Sequence, residues 1–205
     1  MRAMVSPLYL LIGLLSWPVV KVPFRLRAQG LEYLPAGGFV LAANHTSNFD
    51  PWPLGMPLWP RRQLRFMAKS ELFKTPLAPI LWAGGAFKVR RGEGDIEAMR
   101  KSVALVRKRE IVMMFPEGTR RTKGLRKKHV PRAHTGAARI ALSAGAPLVP
   151  AAIAGTERLL RLGPLRVVYG PPLDLADLEG LDQKRAAEAA TERLMARIEE
   201  LRGAL

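Results

Sequence analysis

The sequence predicts an α/β domain over residues 23–205, a mostly parallel or mixed sheet of about seven strands with helices on both faces. An apolar helical segment, residues 1–22, precedes it. Three observations carry this expectation. Short alternating or apolar runs recur at 25–29, 39–43, 64–68, 86–90, 111–115, 148–154 and 165–169. Stretches with helical spacing fall between several of them. Two of the runs, Phe39-Val40-Leu41-Ala42-Ala43 and Ile111-Val112-Met113-Met114-Phe115, are apolar throughout, as strands covered on both faces are.

In chain order, residues 3–20 carry no charge, are broken by Pro7, Gly13 and Pro18, and are flanked by Arg2, Lys21, Arg25 and Arg27. The prolines shorten any regular helix, and the run is at the lower limit for crossing a bilayer. With Tyr9, Trp17 and basic flanks, a helix or helical hairpin lying in a membrane surface fits better. No small-x-small cleavage site of a signal peptide is evident. The run 25–29 reads as an edge strand, 39–43 as a buried one and 111–115 as central. Pro51 suits the first residue of a helix. Residues 94–109 place Ile96, Met99, Val103 and Val106 on one helical face, with Asp95 positioned to cap it. Residues 136–144 are alanine-rich and Gly145 follows as a stop. Residues 181–201 repeat Ala187, Ala190, Leu194, Ile198 and Leu201 at helical spacing.

The chain has 205 residues and no cysteine, which excludes disulfides, thiolate metal sites and cysteine nucleophiles. Its net charge of +16 is concentrated in the middle. Residues 61–139 hold 21 basic and 6 acidic side chains, whereas residues 1–60 stand at +2 and 140–205 at −1. Such a patch attracts phosphate on nucleic acid, anionic lipid or a small substrate; a solvated basic face is the alternative.

Three stretches carry candidate chemistry. In Asn44-His45-Thr46-Ser47-Asn48-Phe49-Asp50, His45 and Asp50 sit on a strand-to-helix turn, where an α/β sheet presents reactive groups. Imidazole titrates near neutrality, so His45 reads as a general base, and Asp50 as the carboxylate that fixes its tautomer. Asp before Pro is equally an N-cap pattern, and His45 could equally be a hydrogen-bonded turn histidine. In Phe115-Pro116-Glu117-Gly118-Thr119-Arg120-Arg121, Gly118 allows close backbone approach, Thr119 can donate a hydrogen bond and Arg120 can clamp a phosphate. Glu117 would suit a glycerol-like hydroxyl or a neighbouring arginine; a polar turn is the alternative. In Gly85-Ala86-Phe87-Lys88-Val89-Arg90-Arg91, the adjacent Arg90 and Arg91 suit a phosphomonoester dianion, or form a basic sheet end.

Together, in this order, these stretches resemble the glycerolipid acyltransferase family, particularly its bacterial 1-acyl-glycerol-3-phosphate acyltransferases. The likeness runs from about residue 23 to 173. Asn44, His45 and Asp50 match an Asn-His-x-x-x-x-Asp motif. Gly85, Phe87, Arg90 and Arg91 match the second motif, residues 115–120 match Phe-Pro-Glu-Gly-Thr-Arg in full, and Pro147-Leu148-Val149-Pro150 resembles the fourth. Lys69 matches a lysine the family often has. Where relatives read Phe-Lys-x-Gly-Ala this chain has Ala133-His134-Thr135-Gly136-Ala137, with Arg132 or His134 as stand-ins for the lysine.

The resemblance implies acyl transfer from a thioester, acyl-CoA or acyl carrier protein, to the free hydroxyl of a lysophosphatidic acid, giving phosphatidic acid. Glycerol-3-phosphate, another lysophospholipid or a lyso-amino lipid are alternative acceptors. It implies His45 as base with Asp50, and Arg90, Arg91 and Arg120 on the acceptor phosphate, with the substrate-binding Lys69 nearby. Glu117, Gly118 and Thr119 would shape the glycerol site. No cofactor or metal is expected, and no acyl-enzyme. The basic run 120–128 is expected to face anionic headgroups or the polyphosphate of CoA, holding a monotopic enzyme on the cytoplasmic face of the membrane with the N-terminal segment. A nucleic-acid-binding module lacks support, since RNA-recognition aromatics, zinc spacing and a helix-turn-helix pattern are missing. A catalytically silent lipid-transfer protein on the same fold is a further rival.

Overall fold

The computed structural model describes residues 5–89, 96–118 and 133–205. Its sheet comprises β1 (Arg27–Gln29), β2 (Phe39–Ala43), β3 (Leu64–Lys69), β4 (Ala86–Val89), β5 (Ile111–Met114), β6 (Leu148–Ala154) and β7 (Arg166–Tyr169), in the order β1-β7-β6-β2-β5-β3-β4. Neighbours from β6 through β2, β5 and β3 to β4 are parallel, β7 is antiparallel to β6, and β1 is parallel to β7. The sheet is therefore mixed. The wholly buried β2 lies at its centre, with β5 beside it and β1 on an edge.

Alternation along β2 explains the layers. Phe39 and Leu41 enter one apolar cluster with Met113, Val149 and Ile153, and Val40 and Ala42 enter another with Val112 and Leu148. The helices α4 (Ile96–Arg107), α5 (Gly136–Ala144) and α6 (Gln183–Gly203) cover the second face. Asp182 caps α6, accepting from the Lys184 and Arg185 amides, and its buried stripe contains Ala187, Ala190, Leu194, Ile198 and Leu201. Gly145 ends α5 at φ 61°, the left-handed conformation of a helix stop. Gly94 and Asp95, expected in the start of α4, lie outside the described residues.

The first face is covered by α1 (Pro7–Lys21), α2 (Pro51–Gly55) and the turns that follow α2. A six-residue helix, α3 (Ala78–Ala83), and several 3₁₀ turns have no counterpart in the sequence expectation. Arg62 ties down the start of β2: its guanidinium donates to the carbonyls of Pro35 and Gly37 and lies 5.1 Å over the Phe39 ring.

The N-terminal segment is one 15-residue helix rather than a hairpin, and no described helix is long and apolar enough to cross a membrane. It meets the body along one side. The Trp17 and Trp59 rings are 5.9 Å apart, the Tyr9 hydroxyl donates to the Arg62 carbonyl at 3.1 Å, and Val20 is fully buried. Gly13 lies so close to Trp59 that a Cβ there would fall 2.1 Å from its indole nitrogen. Burial of the Tyr9 phenol pushes its pKa up to about 12.

Gly13→Val is therefore expected to destabilise the protein by about 1–3 kcal/mol, as overpacking does. Gly37→Ala, where a Cβ meets nothing within 4 Å, should stay within about 0.5 kcal/mol of wild type. Urea unfolding monitored by tryptophan fluorescence measures both.

Candidate active site

Five parallel strands share one carboxyl end, and the described candidates His45, Asp50, Lys69, Glu117 and Gly118 lie there. Asn44 comes first after β2. Its side-chain amide donates to the Ile153 carbonyl and accepts from the Ile153 N–H, both at 2.9 Å. This buried two-way clamp fastens the exit of β2 to β6 and fixes where the next residue stands.

That residue is His45. Its Nδ1 lies 2.8 Å from Asp50 Oδ2. Asp50 is completely buried, and the same oxygen accepts the backbone N–H of Thr46 at 2.7 Å and of Ser47 at 2.9 Å. The carboxylate thus folds the 45–50 turn around itself. It makes no capping bond to α2, so the N-cap alternative is not what the turn uses. On the other oxygen, Oδ1, the Thr156 hydroxyl donates to Asp50, and the Thr46 hydroxyl lies 3.2 Å away. The two hydroxyls are also 2.7 Å from each other. Two protons serve three contacts, so the Thr156 proton goes to the anion and that of Thr46 divides between Asp50 and the Thr156 oxygen. A carboxylate only accepts, so Nδ1 carries the hydrogen and Nε2 keeps the lone pair.

The third motif supplies the wall. Phe115 leaves β5 and stacks on the His45 ring, with centroids 4.0 Å apart and planes inclined by 14°. The ring is thereby fixed in its plane by Phe115 and about its axis by Asp50, with only 8% of His45 exposed. The chain then turns: the Gly118 amide donates to the Phe115 carbonyl at 3.0 Å, and Gly118 adopts φ 67°. His134 closes on this turn, its amide donating to the Pro116 carbonyl at 2.8 Å. A Cβ on Gly118 would lie 2.4 Å from the His134 ring, so glycine is needed both for its conformation and for space. His134 itself is exposed and Glu117 half-buried.

Lys69 is the exposed last residue of β3, at the same end of the sheet, two strands from β2. Arg90, Arg91, Thr119 and Arg120 lie outside the described residues, as do His129, Arg132 and the basic run 120–128. Sequence reasoning missed Thr156 and the structural use of Thr46. A signal existed: Thr156 follows Gly155 directly after β6, a strand that runs parallel to β2 beside it and so ends at the same rim.

A mixed sheet of this order carries a histidine–aspartate pair at the exit of its central strand, a site equipped for base catalysis. The chain belongs to the acyltransferase family, whose model matches residues 25–154. It is 36% identical over 185 residues to a 1-acyl-sn-glycerol-3-phosphate acyltransferase of Bacillus subtilis, covering 88% of this chain and 89% of that one. An enzyme so named from Salmonella typhimurium is 31% identical over 186 residues, covering 86% and 71%. The crystal structure of the 1-acyl-sn-glycerophosphate acyltransferase PlsC from Thermotoga maritima superposes with a TM-score of 0.60 at 25% identity, covering 86% of this chain and 71% of that one.

Thr156→Val keeps the volume and removes the donor to Asp50. It is expected to cost about 1–3 kcal/mol in chemical unfolding, whereas Thr156→Ser should cost less than about 1 kcal/mol. Asn44→Ala strands the Ile153 N–H and carbonyl and should cost at least as much as Thr156→Val.

Proposed function

We propose that this chain transfers a fatty acyl group from acyl-CoA or acyl carrier protein to the free hydroxyl of 1-acyl-glycerol-3-phosphate, forming phosphatidic acid. The relatives' names supply the substrate, and one observation carries the chemistry: His45 held through Nδ1 by the buried Asp50, with Nε2 left as the base. Nε2 takes the proton of the acceptor hydroxyl. The oxygen attacks the thioester carbonyl carbon, the C–O bond forms, and the C–S bond breaks as the tetrahedral intermediate collapses. The imidazolium, stabilised by Asp50, returns its proton to the leaving thiolate. No acyl-enzyme is required, consistent with a chain that has no cysteine. Base catalysis of this kind contributes about 10²–10⁴-fold; holding two substrates together supplies the rest.

In this reading Arg90, Arg91 and Arg120 hold the acceptor phosphate, with Lys69 nearby. Glu117, Gly118 and Thr119 shape the glycerol site. Guanidinium groups suit a phosphate because their planar forks donate two parallel hydrogen bonds. The enzyme works as a peripheral protein on the cytoplasmic face of the cell membrane. Supporting this, α1 leaves Leu8, Leu11, Leu14 and Leu15 between 48% and 65% exposed, with Lys21 4.9 Å over the Trp17 ring. The middle of the chain adds the positive charge that anionic headgroups attract.

In a thiol-release assay with lysophosphatidic acid, His45→Ala should lower kcat about 10²–10⁴-fold with the fold intact. Near-wild-type turnover in that variant would remove His45 from the chemistry. Asp50→Asn keeps an acceptor toward Nδ1 and the two amides but removes the charge that stabilises the imidazolium, and should also lower kcat, by about tenfold or more. Arg120→Glu should instead raise the acceptor KM about tenfold or more, the loss of a charge-assisted phosphate contact. Raising the salt concentration should release the enzyme from anionic vesicles, as screening weakens the contribution of its cations.

A further inference from the structure

The connection between β3 and β4 is anomalous. Parallel strands need a crossover, and its helix ordinarily lies on the sheet with its apolar side inward. Here the crossover reads Leu72-Phe73-Lys74-Thr75-Pro76-Leu77-Ala78-Pro79-Ile80-Leu81-Trp82. Prolines at 76 and 79 allow only a 3₁₀ turn, Ser70–Lys74, and the short α3. From residue 70 to residue 82 nothing is buried; Leu77, Ile80 and Trp82 are 55%, 58% and 51% exposed. Ala83 is the first residue to enter the core.

This apolar face is ordered at its rim. The Phe73 and Trp82 rings pack 4.8 Å apart, and the Lys88 ammonium stands 5.6 and 5.5 Å from their centroids. Lys74, the next residue after Phe73, is exposed. The arrangement repeats that of α1, where exposed leucines end at Trp17 with Lys21 over its ring. The two elements touch each other. Aliphatic side chains outermost, tryptophan at their border and lysine reaching back over the ring are what a lipid–water boundary selects.

We propose that the 72–82 crossover is a second membrane-contacting element. It enters the same leaflet as α1, and Leu77 and Ile80 penetrate below the headgroups of an anionic bilayer. Lys74 and Lys88 meet the lipid phosphates. The proposal extends the reading of α1 as a surface-lying helix and is independent of the acyl-transfer chemistry. Its consequence is orientation: one helix can roll on a membrane, whereas two touching elements hold the protein in one pose.

The chain has no cysteine, so single reporters can be placed cleanly. Ile80→Cys labelled with an environment-sensitive fluorophore is mixed with vesicles of phosphatidylcholine and phosphatidylglycerol. Glu192→Cys, exposed on α6 across the sheet, is the control. The label at 80 should brighten and shift to the blue only with vesicles, while that at 192 stays unchanged. Leu77→Glu combined with Ile80→Glu should lower vesicle partitioning by about tenfold or more. Acyl transfer to a short-chain acceptor dissolved as monomer should stay within about twofold, because neither residue belongs to the catalytic machinery. A protein that floats with its vesicles while the label at 80 remains in water would overturn the proposal, as would failure to bind vesicles. A blue shift without vesicles, accompanied by dimer in sedimentation velocity, would assign the face to a second copy instead and also overturn it. Loss of acyl transfer in the wild type would sink the enzymatic reading and leave the vesicle result standing.

Discussion

The buried carboxylate of Asp50 is the point on which the site depends. A charge without exposure survives only when its oxygens are met by donors, and here the His45 ring, two backbone amides and the Thr156 hydroxyl meet it. The same contacts that make the charge tolerable also shape the turn. Remove the carboxylate and the loop loses its centre; supply it and the loop has little freedom. Preparation of the imidazole is therefore a by-product of solving a solvation problem, and both are settled by folding rather than by substrate.

The Phe115 stack adds a second constraint from a different strand. In the register of β2 and β5, Ala42 pairs with Met114, so the residues leaving the two strands emerge side by side. With the Asn44 clamp and the Asp50-centred turn placing the imidazole, the aromatic ring on one exit and the imidazole on the other lie face to face, 4.0 Å apart. The turn that follows, with its left-handed Gly118 under the His134 ring, is thereby linked mechanically to the histidine. Two motifs separated by some seventy residues form a single unit because the sheet makes their strands neighbours.

Much of this was legible in the sequence. β2 and β5 are apolar at every position, and strands with both faces covered have no alternative pattern. The His45–Asp50 pairing followed from the turn between a buried strand and Pro51. The reversed direction of β7 did not show: only residues 155–165, mostly a 3₁₀ turn, link it to β6, too little chain for a parallel crossover. Thr156 escaped because its partner is 106 residues away and a hydroxyl after a strand has no distinctive local pattern. The exposure of residues 72–82 escaped because apolar composition alone is the same for a covered and an uncovered segment.

The clamps at the two ends of β2 differ in kind. Asn44 locks the end that carries His45, and Arg62 grips the chain entering from the other side. Five extended residues place these ends about 17 Å apart. Among the described residues the candidate chemistry lies on one rim, which leaves the loops on the opposite rim outside it. Gly145, on that far rim, has open space around it. Peptide grafts, affinity handles or fused domains can be spliced there while the reacting centre keeps its shape, giving the scaffold a natural handle for immobilisation.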